Sequence, residues 1–120
     1  MPQEHRISAR TTLLSVNVQV SVDGRKWTEV EVRDISDGGF GFVSEVEFER
    51  GAHLYMEGDV SDFTRQMSIS CDIDVIFCGK YSDGRNIYGV KFLNMSKAEH
   101  TGLAVFIELM VTKYPKLLVQ

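Results

Sequence analysis

The stretch Leu14-Ser-Val-Asn-Val-Gln-Val-Ser-Val22 alternates apolar and polar residues without a break. Period two places Leu14, Val16, Val18, Val20 and Val22 on one face of an extended chain, and Ser15, Asn17, Gln19 and Ser21 on the other. A helix of 3.6 residues per turn would scatter that pattern, so the stretch predicts a half-buried strand. Asp23-Gly24 follows at once and suits a tight turn, after which Trp27, Val30 and Val32 begin a return strand. The first element is therefore a β-hairpin.

The same signals extend outward. Asp34-Ile-Ser36-Asp-Gly-Gly-Phe-Gly-Phe-Val43 reads as a turn entering a glycine-rich strand. Gly38, Gly39 and Gly41 there predict either positive φ angles or close backbone approach to something else. Glu49-Arg50-Gly51 makes a turn before Leu54-Tyr-Met56, and residues 57–65 read as a polar loop. Residues 67–78 alternate again, with Ile69, Cys71, Ile73, Val75 and Phe77 on the apolar side of a long strand. Asp83-Gly84 is a second hairpin turn, and residues 87–93 form the last strand.

Beyond it the period changes. Ser96-Lys-Ala-Glu99 has capping-box spacing, in which each side chain satisfies an amide at a helix start. Leu103, Phe106, Ile107 and Met110 follow at helical intervals, and Pro115 ends the helix. Antiparallel strands followed by one amphipathic helix predict a small closed barrel or sandwich, with the helix over an open edge or end.

Composition fits one soluble domain. The chain has 120 residues, 43% hydrophobic and 25% charged, which suffices for a single core without staples. A net charge of -4 argues against DNA or RNA as a partner. That charge is uneven. Residues 45–74 carry Glu45, Glu47, Glu49, Glu57, Asp59, Asp62, Asp72 and Asp74 against Arg50 and Arg65, whereas Arg6, Arg10, Arg25, Lys26 and Arg33 lie early. An anionic ligand is drawn to the early part and repelled from the middle. The acidic stretch reads as a solvated face or a docking surface for a basic partner.

Cys71 and Cys78 fit no common zinc spacing and, seven apart on one extended run, lie beyond disulfide reach. Both are expected reduced. No apolar run approaches the ~20 residues of a membrane span, and no signal peptide opens the chain, so the expected location is cytoplasmic. His53 and His100 have no acid partner at useful spacing and are expected at the surface, and Trp27 is expected in core or hairpin packing.

Two constellations carry chemistry: Arg6-Ile-Ser-Ala-Arg10, and Asp34-Ile-Ser36-Asp-Gly-Gly39 at a turn between strands. The hairpin between them should bring them to one rim of the barrel. A guanidinium fork suits phosphate oxygens or the O6/N7 pair of guanine, and its plane stacks on a purine. A carboxylate can accept from guanine N1 and its exocyclic amine, and a serine hydroxyl with glycine-freed amides adds short polar contacts. Together these groups suit a guanine nucleotide. Taken apart, Arg6 and Arg10 fit a solvated chain end, and Asp34 and Ser36 fit a simple turn.

With both motifs in order inside this strand pattern, the sequence resembles the PilZ domain family. The matches are Arg6, Arg10, Asp34, Ser36 and Gly39, joined by Tyr88-Gly-Val-Lys-Phe92, which resembles the Gly-Val-x-Phe run on the family's last strand. The resemblance covers nearly the whole chain. It implies a mainly β fold: a six-stranded antiparallel β-barrel of split-barrel type with a C-terminal α-helix. It also implies cyclic di-GMP as ligand, with Arg6 and Arg10 on phosphates and guanine edges, Asp34 and Ser36 on a base, and Gly39 in the tight turn. His5, Arg33 and Phe77 are additional candidate contacts, the last as a side chain packing against a bound base.

The expected organisation is a flexible segment over residues 1–12, carrying the arginines, and a barrel with its helix over residues 13–120. No nucleophile–base pair, metal-ligand set or phosphate loop is present, so no catalytic residue, metal or cofactor is assigned. The expected role is a non-enzymatic receptor that changes shape on binding and signals to a protein partner in motility, secretion, exopolysaccharide or biofilm control. It is expected as a monomer or weak homodimer. Two alternatives stay open: an interaction module that no longer binds nucleotide, and a small-barrel flavin-binding protein.

Overall fold

The valine face of the opening hairpin turns inward as far as Val20: Val18 and Val20 are buried while Asn17 stays outside, but beyond Val20 the alternation reverses, with Ser21 buried and Val22 exposed. The computed structural model describes residues 5–119. In chain order the strands are β1 (Arg6–Ser8), β2 (Ser15–Ser21), β3 (Thr28–Ser36), β4 (Gly39–Ser44), β5 (His53–Ser61), β6 (Gln66–Lys80) and β7 (Asn86–Phe92). Helix α1 (Lys97–Lys113) and a 3-10 turn (Pro115–Leu117) complete the order.

Neighbours run β1-β3-β2-β5-β6-β7-β4, and a β3–β4 pairing closes the sheet on itself. Strands β2 to β7 thus form the six-stranded antiparallel barrel expected from the sequence, and closure removes its open edges. Strand β3 is shared along one edge. Its beginning pairs with β2, Val30 opposite Val18, and its end pairs with β1, Ser36 opposite Arg6. The hairpin therefore hands the arginine segment directly to the aspartate turn.

Helix α1 begins as its sequence dictates, with Ser96 as N-cap and both arms of the capping box formed with Glu99. Leu103, Phe106, Ile107 and Met110 are its buried face and join the barrel core. Ile7 of β1 is fully buried in that same core and bridges Leu118, while Val119 N–H donates to the Arg6 carbonyl at 2.7 Å. Strand β1 is thus held between β3 and the residues after the helix.

Three local expectations need correction. Residues 57–61 are strand, not loop: β5 continues to Ser61 with Met56 and Val60 buried, and only residues 62–65 turn into β6. The apolar period of β5 is interrupted at Gly58, where a β-carbon would lie 2.9 Å from Val18 Cγ2. Arg6 lies within a short strand rather than before the first one, because Ile7 fills the core and draws its neighbours into register. Phe77 does not follow Val75 into the interior. The register with β7 shifts between those two residues, and the bulge turns Phe77 outward, 54% exposed. Of the two readings of the glycines, close approach holds for Gly39 and Gly41, while the positive φ angles belong to Gly24, Gly51 and Gly84 in the turns.

Residues 1–4 of the expected flexible segment, and residue 120, lie outside the described residues. Both cysteines are free, Cys71 buried on β6 and Cys78 exposed further along it.

Candidate functional site

The site begins at the Asp34–Gly39 turn. Ser36 is fully buried, and its Oγ accepts from the amides of Gly38 and Gly39 at 3.2 Å each while donating to the Gly39 carbonyl at 3.2 Å. It therefore ties the β3–β4 turn together, and it also accepts from Arg6 Nη2 at 3.3 Å. Gly39 admits no side chain, since a β-carbon there would sit 2.0 Å from the Val90 carbonyl oxygen.

Asp34 faces outward although it is 6% exposed, because two guanidinium groups cover it. Arg6 Nη1 pairs with Oδ1 at 2.5 Å and Arg33 Nε with Oδ2 at 3.1 Å. Burial works against the Arg33 charge, but hydrogen bonds to Tyr81 and Asp34 outweigh it and raise its pKa above the ordinary arginine value. A charge-assisted network of this kind is stronger than a neutral one, and costly to break without replacement.

From Asp34 a single cross-strand row runs round the barrel: Ser8 on β1, Asp34 on β3, Gly41 on β4, Gly89 on β7 and Phe77 on β6. Both glycines present bare backbone. A β-carbon on Gly41 would press on the Asp34 carboxylate at 3.0 Å, and one on Gly89 on the Phe77 β-carbon at 3.2 Å. The result is a flat two-glycine floor with an acid on one side and an aromatic ring on the other. A floor of this kind suits a planar polar ring better than a bulky apolar group.

Arg10 reaches the rim by another route. Its Nη2 donates to the Tyr81 hydroxyl at 2.6 Å, and its guanidinium carbon lies 5.5 Å from the Tyr81 ring centroid. Among the described residues Arg10 makes no ion pair with a carboxylate. Arg85 lies the same 5.5 Å from that centroid but is neutralised by Asp83 at 2.9 Å and Glu31 at 2.8 Å.

Of the sequence-predicted residues, the structure brings Arg6, Arg33, Asp34, Ser36 and Gly39 together and sets Arg10 and Phe77 at the edges. His5 is turned elsewhere, its Nδ1 3.1 Å from Glu108 Oε2 on α1. Sequence reasoning passed over Tyr81 and Arg85, which flank the second hairpin turn. Reading Asp83-Gly84 as a turn was the available signal, for that turn returns its flanking residues to the rim.

Two features lie apart from the rim. A groove of about 560 Å3 between β2, β3, β5, β6 and the start of α1 is lined in part by Glu29, Glu57, Asp59 and Glu99, charges that repel an anion. His53 is at the surface, as expected, but it does have acid partners: β6 supplies Asp72 at 2.9 Å and Asp74 at 3.2 Å across the sheet. Among the described residues no cluster of His, Cys, Asp and Glu could hold a metal ion, and no helix is long and apolar enough to cross a membrane.

The structure is thus a closed six-stranded barrel with an arginine-covered aspartate turn at one rim. A family model described as the PilZ domain matches residues 3–109, and the chain belongs to that family. Among solved structures, the Bacillus subtilis inhibitor of motility (MotI/DgrA) superposes with a TM-score of 0.78 at 14% identity, covering 95% of this chain and 53% of that one. The PilZ domain of Escherichia coli YcgR, solved with c-di-GMP, has a TM-score of 0.69 at 17% identity, covering 96% and 95%. MrkH from K. pneumonia, solved as a c-di-GMP complex, has a TM-score of 0.70 at 14% identity, covering 97% and 55%. At such identities the likeness is one of fold, and the chain spans about half the length of the MotI and MrkH chains. No match was found among curated proteins.

Proposed function

We propose that this protein is a cyclic di-GMP receptor without catalytic activity, acting in the cytoplasm on a protein partner in motility, secretion or biofilm control. The observation that carries the reading is the rim itself: Arg6 donates to both Asp34 and Ser36, 28 and 30 residues further along the chain, beside a glycine floor. Each group is chemically complementary to a part of a cyclic guanine dinucleotide. The binding of c-di-GMP by proteins of this fold, YcgR and MrkH among them, supports the assignment.

Binding would proceed by exchange. Guanine N1 and its exocyclic amine replace Arg6 as donors to Asp34, and the released Arg6 turns to a phosphate or a Hoogsteen edge. Arg10, exposed and without a carboxylate, adds a second guanidinium. Phe77 stands across the two glycines, where it can pack against a base, and Arg33 stays beside Asp34 for a phosphate. The Arg6 and Arg10 side chains rearrange in the process, and that rearrangement is the signal passed to the partner.

A second reading, an interaction module that takes no nucleotide, is favoured by one fact: Asp34 already has its charge matched by Arg6 and Arg33. Calorimetric titration with cyclic di-GMP separates the two. Saturable heat at micromolar ligand or below, with a defined stoichiometry, is expected; no heat at those concentrations rejects the receptor. Arg10→Ala should lose most of the affinity while keeping the parent's melting temperature, and parent-like binding by that variant would remove Arg10 from the site.

A further inference from the structure

The β6–β7 hairpin supplies a group that neither sequence motif contains. The Tyr81 hydroxyl accepts from the Arg10 guanidinium at 2.6 Å. The Tyr81 ring lies under two such groups, Arg10 and Arg85, each 5.5 Å from its centroid. An aromatic face attracts a cation, and a phenol oxygen accepts from it, without cancelling its charge. These contacts differ in kind from the ion pairs that hold Arg6, Arg33 and Arg85. Arg10 is thus held in place yet keeps a full positive charge toward an incoming anion.

We propose that Tyr81 is a positioning residue for ligand capture: it fixes Arg10 at the rim in a charged, unneutralised state, so that binding need not order a free arginine side chain. This rests on the reading of the rim as a cyclic di-GMP site. A carboxylate in place of Tyr81 would hold Arg10 equally well but would compete with the ligand phosphate for it. A tyrosine holds it without that competition, and ordering an arginine beforehand lowers the entropy lost on binding. Arg85 completes the arrangement. Paired to Asp83 and Glu31, it anchors the hairpin and offers the same ring a second cation.

The test compares the parent with Tyr81→Phe and Tyr81→Ala by calorimetry with cyclic di-GMP, and by 15N NMR of the arginine side chains without ligand. Tyr81→Phe keeps the ring and loses the hydroxyl, so affinity should weaken roughly fivefold at unchanged melting temperature. Tyr81→Ala loses both contacts and should weaken binding about tenfold or more, mainly in the entropy of binding. The ligand-free parent should show Arg10 Nη–H signals shifted from those of a free arginine, and Tyr81→Phe should return them toward the free position. A role confined to hairpin packing predicts parent affinity for Tyr81→Phe, and that result overturns the proposal. Tighter binding by Tyr81→Ala overturns it as well, since Tyr81 would then be a competing latch. A parent that binds no ligand rejects the receptor reading and this proposal together, whereas a parent that binds no better than Tyr81→Phe rejects this proposal alone.

Discussion

A β-carbon on Gly39 would lie 2.0 Å from the Val90 carbonyl oxygen, and backbone cannot step aside as a side chain can. Gly39→Ala should therefore destabilise the fold by about 2–4 kcal/mol, read from denaturant unfolding. Gly41 differs in kind. Its new methyl would meet the Asp34 carboxylate at 3.0 Å, and that neighbour can move. Gly41→Ala should weaken ligand binding by displacing Asp34 while costing less than about 1 kcal/mol of stability; undiminished binding would show that the floor is not used. The site was legible in sequence at this scale only where a motif existed. Arg6, Asp34 and Ser36 announce themselves by spacing and by the hairpin between them. Tyr81 could not, because its role depends on Arg10, 71 residues away in the chain.

Among the elements, strands with strict alternation were legible and those shaped by their partners were not. β2 as far as Val20 and most of β6 follow period two. β5 hides behind Glu57, Gly58 and Asp59, whose outward charges and missing side chain look like a loop until the neighbouring valine is placed. The bulges at Arg33 and Ile76 arise from pairing with β4 and β7, so no local pattern marks them. β1 is three residues long, too short for a period to show. Helix α1 was legible from end to end because its cap is local chemistry. Glu99 also has a second task, accepting from the Ser70 amide on β6 at 2.9 Å. Ser96→Ala should cost about 1 kcal/mol, the usual worth of an N-cap. Glu99→Ala should cost more in the same thermal melts, because it also leaves an amide of the sheet without its acceptor.

The molecule as a whole divides its charge. Guanidinium groups gather at the Asp34 rim and carboxylates line the groove between β2, β3, β5, β6 and α1. Cyclic di-GMP affinity should fall as salt rises, because phosphate–arginine attraction is screened. A dissociation constant unchanged between low and high salt would mean that the arginines do not meet phosphate. Stability carries a separate electrostatic signature in His53. Hydrogen bonds that its imidazolium donates to Asp72 and then Asp74, with their charges, raise its pKa above the usual 6.5. A raised folded-state value means that the paired imidazolium stabilises the fold below the unfolded pKa, and that this contribution disappears as pH climbs through the folded one. Melting temperature should accordingly decline slightly from pH 6.5 upward, and His53→Gln should flatten that decline.

The unequal cysteines on β6 make the protein its own labelling reagent. Burial, with the charges of Glu99 and Asp72 beside it, pushes the Cys71 thiol up to about 12, so its reactive thiolate is nearly absent at neutral pH. Cys78 is exposed and stands next to Phe77 in the chain. A maleimide dye should attach to the unmodified, folded protein once, at Cys78, and mass spectrometry of the adduct checks the count. That fluorophore would sit one residue past the ring at the far side of the glycine floor, and ligand arrival could be watched without a single substitution.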